Sequence, residues 1–470
     1  MIVPRRLQTN FGDGLIREEV SQLWEPWMLH ADALLDDEKL LQLVQQALSA
    51  RCRKSPTRGR PGTTAEVILR TLVVKHMRNW SYQGLAREVR ANLVYRQFTR
   101  IGGEKVPDPT TLSRVARQLG PQVIEQIHQR LVGMAQEKKV VQGKKLRVDT
   151  TVVETNIHYP TDSSLLQDGV RVLTRVMAKV ASVAGQAGQK VRNRTRSVKL
   201  RVLEIARASR DKSARGQEKL KAGYRKLLES TQRVVGQAKK VVQQMADQVQ
   251  QATKKAARVL QTAQQELETM IPRVEQVLHQ TRQRLFHDNT RTEGKLASVF
   301  QPQTEIIRKG KASKPTEFGN MVKVQEAENQ IITHYQVFPQ RPSDSQLLLP
   351  SIAEHQRILG CTPALVAADP GFFSAANEKE AEKMGVKQVA VPSHGTKSPA
   401  RRQRQKQRWF KKAQKWRTGC EGRISVLKRR HGLNRSRYKG IEGMERWVGL
   451  GVIADTVINI GTRLAETADA

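Results

Sequence analysis

Acidic residues are scarce in this sequence: 44 Asp and Glu stand against 82 Lys and Arg, for a formal net charge of +38 over 470 residues. An excess of that size exceeds what solubility requires and implies a polyanionic partner. The basic residues are spread along the chain and not gathered beside a lipid-inserting amphipathic helix, which points to nucleic acid before a membrane surface. Cysteines are also few. Cys52, Cys361 and Cys420 lie far apart without a CxxC pair, so neither a zinc site nor a disulfide framework is indicated, and a reducing compartment is the natural setting. No window holds 18 uninterrupted apolar residues, and residues 1–6 lack the apolar stretch of a signal peptide. A soluble cytoplasmic protein with no membrane partner is expected. The length allows two to four domains at roughly 100 to 200 residues each.

What is present is a pattern that changes along the chain. From about residue 30 to 120 apolar residues recur at helical spacing, as in Leu34, Leu35, Leu40, Leu41, Leu43 and Val44. Ser81 and Asp108-Pro109 are helix start signals, the first for a helix carrying Leu85 and Val89, the second for one carrying Leu112, Val115 and Leu119. With Arg87, Arg90, Arg96, Arg100, Arg114 and Arg117 along it, this pair reads either as a helix-turn-helix-like DNA-binding unit or as a basic bundle that supports the rest. Leu146, Val148, Thr150 and Val152 then alternate with polar residues, which is a strand pattern. Between about 165 and 290 the helical pattern returns, with no proline in residues 161–271. Long helices there form either a coiled-coil-like pack with a solvated basic face, or an arm that clamps DNA or a second copy. Strand patterns resume at 319–324, 330–337, 364–368 and 386–391. Ser343 or Asp344 can cap a helix between the second and third of them, and Ser374 one before the last, as in an α/β layer fold.

Three carboxylates stand out. Asp369 ends the apolar run 364–368, directly before the Pro370-Gly371 turn. Ligands collect at such carboxyl ends of buried strands, although an Asp that merely caps the turn is the alternative. Asp149 interrupts a strand, where it is unfavourable unless a metal ion, a partner Arg or an exposed face compensates it. Glu154 is a second-ranked acid nearby. Glu421 is the sole acidic residue among 17 Lys and Arg in residues 397–439. In a helix over about 408 to 430, Arg417, Glu421 and Lys428 share one face, so an internal salt bridge accounts for Glu421 as readily as catalysis does. Gly419 and Gly422 permit a close approach there. Carboxylates on a basic chain suit phosphodiester chemistry, because hard oxygen ligands hold Mg²⁺ and leave sites for phosphate and water. Two such ions about 4 Å apart can activate the attacking oxygen and stabilise the leaving one. Arg401, Arg402, Arg404, Lys406, Arg408, Lys411, Lys412 and Lys415 precede Glu421, a run of like charge expected to be exposed or poorly ordered until DNA phosphates neutralise it.

At these residues the sequence resembles the DDE-class insertion-sequence transposases. The matching blocks run in order: Arg147-Val148-Asp149-Thr150-Thr151 leading into Glu154, then Ala368-Asp369-Pro370-Gly371-Phe372-Phe373-Ser374, then the spaced Arg417, Glu421 and Lys428. Ser81-Tyr82 through Leu85-Ala86 to Arg96 and Phe98, Lys309-Gly310-Lys311 followed by Glu317-Phe318-Gly319, and a closing helix over 447–465 add to the likeness. The resemblance implies an α/β ribonuclease-H-like core, a mixed sheet with helices, behind an all-α N-terminal domain. It also implies strand cleavage and transfer at the ends of a bacterial mobile element, with Mg²⁺ or Mn²⁺ on Asp149, Asp369 and Glu421. The expected domains are a DNA-binding helical region 1–140, a discontinuous catalytic domain 141–162 with 296–470, and a helical insertion 163–295. Double-stranded DNA is the expected partner, contacted by Arg417, Lys428, Arg401, Arg402, Arg404, Lys411, Lys412, Arg114 and Arg117, with a homodimer or higher oligomer on nucleoid DNA. Two features depart from the family. Gln414 stands where a tyrosine is expected three positions before Arg417, and 220 positions separate Asp149 from Asp369, which the insertion accounts for if it loops out of the core. A non-catalytic DNA-binding regulator and a hydrolytic nuclease with the same core remain open; metal-dependent cleavage tests the first and strand joining the second.

Overall fold

The computed structural model describes residues 3–5, 19–50, 62–184, 191–251, 253–308, 315–393 and 395–468; Cys52 and Lys309-Gly310-Lys311 lie outside the described residues. Helices α1 (Pro26–Leu35), α2 (Glu38–Ser49), α3 (Ala65–Met77), α4 (Tyr82–Ala91), α5 (Leu93–Phe98), α6 (Pro109–Ala116) and α7 (Pro121–Glu137) precede strand β1 (Lys145–Thr155). Then come α8 (Asp162–Ala184), α9 (Thr195–Ala208), α10 (Ala214–Gln251), α11 (Lys254–Phe286) and a short β2 (Glu305–Arg308). The rest alternates: β3 (Thr316–Glu326), β4 (Ile332–Phe338), α12 (Leu348–Leu359), β5 (Leu365–Ala368), α13 (Ala375–Lys383), β6 (Gln388–Ala390), α14 (Pro399–Lys406), α15 (Arg408–Arg430), β7 (Arg435–Ser436) and α16 (Ile441–Ala468).

The start signals act as read. Ser81 Oγ accepts the Gly84 amide at 3.0 Å and Asp108 Oδ1 the Thr110 amide at 2.9 Å, satisfying donors that a helix leaves free at its first turn. The two helices are not consecutive, because Asn92 caps the short α5 between them. Arg96 and Arg100 turn inward, away from the basic face assigned to them: Arg96 donates to backbone carbonyls of Gly102 and Glu104, and Arg100 pairs with Asp32 at 2.8 Å.

The chain divides into two compact units, Met1–Asn156 with Gly319–Ala470, and Ile157–Phe318. The second unit takes in residues on both sides of the expected 163–295. It has its own core, built from Leu166, Val170, Leu173 and Met177 of α8 against Leu227 and Val234 of α10 and Leu267, Val274 and Val277 of α11. Those spacings are the three-and-four pattern of a helical stripe. Helix α11 continues through Pro272.

In the first unit β1 is central. It pairs antiparallel with β3, from Arg147↔Glu326 to Glu154↔Gly319, and parallel with β5, from Lys145↔Leu365 to Val148↔Ala368. β4 lies beyond β3, β6 beyond β5, and β7 pairs with the far end of β1. Successive side chains of β1 face opposite ways. Leu146 and Val148 pack with Ile352 of α12, Phe372 and Ala381, while Val153 packs with Cys420, Ile424 and Leu427 of α15 and Trp447 of α16. Helix α16 is long and apolar enough to cross a membrane, yet Leu450, Ile453, Val457 and Ile460 are buried in one core with α1 to α7. The expected N-terminal region 1–140 therefore shares a compact unit with the sheet.

Because Glu154 pairs with Gly319, the chain leaves and re-enters the first unit at adjacent positions. Replacing residues 157–318 by a turn of about four residues is expected to leave that unit folded, since insertions at such points leave the host backbone pairing intact. Near-UV circular dichroism and a cooperative melting transition check this; a molten product refutes it.

Candidate active site

The register Val148↔Ala368 makes Asp149 and Asp369 the next residues on adjacent parallel strands, which run about 4.8 Å apart. Their parity on the strands is that of Arg147 and Ala367, whose side chains meet α15: Arg147 donates to the Trp416 carbonyl at 2.5 Å and stacks on the Trp416 ring, and Ala367 packs with Phe410 and Ala413. Helix α15 can lie this close because it has Gly419 where a Cβ would strike the Arg147 guanidinium. Gln414, in place of the expected tyrosine, donates to the carbonyls of Ala368 and Ala390 and ties the helix to the ends of β5 and β6.

Asp149 is largely buried and accepts the Thr150 amide at 2.7 Å. Burial is the main cause that pushes its carboxyl up to about 6, and the like charges of Asp369 and Glu421 add to it, against the Thr150 amide and Arg417. Asp369 Oδ1 accepts the Gly371 amide at 2.8 Å, so it does cap its turn. Glu421 is exposed and takes a 2.9 Å bond from Arg417 Nη2, while Arg417 Nη1 stands 3.9 Å from Asp149 Oδ2. The internal salt bridge open on sequence grounds is thus present, and Arg417 links the two acids.

Among the described residues no three His, Cys, Asp or Glu side chains lie close enough together to hold an ion. The donor chemistry of Asp149 and Asp369 suits a hard divalent cation, since such ions take carboxylate oxygens and would relieve the repulsion that Asp369 exerts on Asp149. Glu421 is held on Arg417, the residue that also stands beside Asp149.

Sequence reasoning missed Asp344. Of the two residues able to cap the helix that follows, Ser343 does so through a capping box with Gln346, and Asp344 Oδ1 instead accepts the Thr150 hydroxyl at 3.2 Å. A Cβ on Gly371 would lie 3.1 Å from Asp369 Oδ1 and 3.3 Å from Asp344 Oδ2, so these two acids border the glycine. The spare acid in Ser343-Asp344 was the only local signal.

The DNA-binding candidates divide. Lys411 and Lys412 are exposed on α15, Arg114 and Arg117 are exposed on and after α6, and Lys428 is half-buried. Arg402 is exposed and donates to the Thr396 carbonyl at 2.9 Å. Arg401 and Arg404 are not free: both pair with Glu378, Arg404 also with Glu382, and Arg401 lies over the Phe373 ring. The basic run is therefore ordered as α14 and the start of α15, because acids of α13 neutralise part of it.

A transposase domain description (DUF772) matches residues 28–118, and a transposase DDE domain description matches residues 308–454. Together they cover half of the chain. Asp369, Arg417 and Glu421 lie within the second match; Asp149, on the far side of the helical unit, lies outside both. No curated protein and no solved structure matches the chain.

Proposed function

Because the chain belongs to the DDE transposases of insertion sequences, we propose that it cuts and joins DNA strands at the ends of its element, with Asp149, Asp369 and Glu421 as the catalytic acids of a ribonuclease-H-like core. One observation carries this reading: the β1–β5 register sets Asp149 beside Asp369 on the face that meets α15, the helix of Glu421. Asp149 and Asp369 would hold Mg²⁺ or Mn²⁺, with Glu421 completing the set. When bound, such ions supply Lewis-acid activation of the attacking oxygen and charge relief at the leaving one. Arg417 serves as the counter-charge for Asp149 and Glu421 in the free protein, and its guanidinium fork matches a phosphate once the acids take up a cation. Lys428 lies about two turns beyond Glu421 on the same helix. Arg114, Arg117, Arg402, Lys411 and Lys412 would track the backbone of double-stranded DNA, the 157–318 unit would act as an arm, and the protein would work as a homodimer or higher oligomer on the bacterial nucleoid.

A second reading, a DNA-binding regulator without catalysis, draws on the Arg417–Glu421 pair, which neutralises the third acid. Duplexes carrying the element ends, incubated with Mg²⁺ and mapped for nicks and joined strands, separate the readings. Cleavage with joining supports the transposase, cleavage without joining a nuclease, and tight binding with neither the regulator.

Phosphate contacts release counterions, so affinity for duplex DNA falls with salt at a slope of about −0.9 per contact. Changing Lys411, Lys412 and Lys415 to Gln is expected to flatten that slope by up to about three units on all sequences alike. Arg401→Gln is expected to leave the slope unchanged and to lower thermal stability, because its guanidinium is committed to Glu378. A reversed pattern in salt titrations would place the DNA track on α14.

A further inference from the structure

A cavity of about 540 Å³ opens in the first unit, lined by Lys75 of α3, Arg117 after α6, Arg437 and Lys439 beside β7, and Arg446 of α16. No Asp or Glu lines it, and among the described residues none of these five cations forms an ion pair. The tethers that hold them are neutral. Arg437 donates to the Asn79 carbonyl at 3.3 Å, and Arg446 to the carbonyls of Ala116 and Glu442, each at 3.3 Å. Backbone carbonyls aim a guanidinium without cancelling its charge.

Lys75 is 2% exposed, and among the described residues its ammonium has one polar neighbour, the His76 ring nitrogen at 3.4 Å. It lies 4.6 Å from the Trp447 ring centre, 4.9 Å from Tyr82 and 5.4 Å from Tyr438, and the Tyr82 and Tyr438 hydroxyls bond to each other at 2.6 Å. Burial, reinforced by Arg437, pushes this ammonium down to about 7. An aromatic cage could account for a buried lysine as part of the core. It does not account for four further cations converging on the same cavity, whose mutual repulsion disfavours the arrangement unless an anion enters.

We propose that this cavity binds a phosphate group, with the Arg437 and Arg446 guanidinia and the Lys75 ammonium as donors. Guanidinium forks match phosphate oxygens in pairs, and an arriving anion would return Lys75 to full charge. The phosphate belongs either to the backbone of bound DNA or to a free nucleotide; the site uses none of the carboxylates of the candidate active site, and stands whether or not those are catalytic.

The test compares the full-length chain with its Arg437→Gln/Arg446→Gln and Lys75→Met variants near neutral pH. Inorganic phosphate and deoxyadenosine monophosphate are each expected to raise the melting temperature of the parent protein above that in sodium chloride of equal ionic strength, and the double variant is expected to lose this response. Without ligand the double variant should melt at the same temperature or higher, since like charges have been removed. If the source is DNA, the double variant also flattens the salt slope on duplex by up to about two units. If it is a free nucleotide, that slope is unchanged while nucleotide binding is lost. Asp369→Asn should keep the full phosphate response, which separates this site from the acids. The proposal is overturned if neither phosphate nor the nucleotide moves the parent protein beyond chloride and duplex binding is unaffected, or if the unliganded double variant is destabilised, since its arginines would then belong to the fold. Should Lys75→Met fail to fold, the double variant decides.

Discussion

Asp369→Asn and Asp149→Asn are each expected to lower metal-dependent strand cleavage by about three orders of magnitude or more, because an acid replaced by an amide no longer anchors a cation worth several kcal/mol of charge stabilisation. The two variants should differ in stability. The folded protein holds the Asp149 proton up to about pH 6, against an ordinary value of 3.8. A raised carboxyl favours the fold below its unfolded value and loses that contribution as pH climbs from about 4 through 6. Above 6 the charged Asp149 costs the metal-free fold roughly 3 kcal/mol. Asn is isosteric and can still accept the Thr150 amide, so Asp149→Asn should raise the melting temperature of the metal-free protein at pH 7 and not at pH 4. Added Mg²⁺ should stabilise the parent and not the variant. Full cleavage by either variant would remove the acids from the mechanism. A variant that melts lower at pH 7 would show that Asp149 is a structural partner of Arg417.

Arg70→Met is expected to destabilise the first unit by about 3 to 5 kcal/mol, the usual cost of leaving buried charges without their partner. Arg70 is fully buried. Its guanidinium meets Asp32 at 2.7 Å, Asp36 at 2.6 Å and Glu66 at 3.2 Å, and it also donates to the Phe98 carbonyl at 3.2 Å. One side chain therefore joins α1, α3 and the end of α5. Arg100 remains in the variant at 2.8 Å from Asp32, 3.3 Å from Asp36 and 3.4 Å from Glu66, but its single charge cannot neutralise three acids. Urea unfolding followed in the near-ultraviolet measures the loss. Arg70→Lys should fall between the two, since an ammonium supplies the charge without the planar fork. A change under about 1 kcal/mol would mean that water reaches the cluster when Arg70 is removed.

Much of this protein was legible locally. The alternation of Leu146, Val148 and Val152 marks β1, the run before Asp369 marks β5, and Ser81, Asp108 and Ser374 begin helices where read, because a cap or an alternating face depends on residues within a few positions. Even the sole acid of a basic helix drew attention to Glu421 from charge count alone. Other features needed distant partners. Arg401 looks like a DNA contact until Glu378 of α13 is seen beside it, and Asp344 looks like a cap until its carboxylate is found on the Thr150 hydroxyl. The cavity around Lys75 is assembled from four stretches, none of which is unusual alone. Composition and local pattern determined the element types, the basic character and the candidate acids. Strand register and helix packing decided which charges meet, because whether an arginine is free or neutralised depends on what folds back against it.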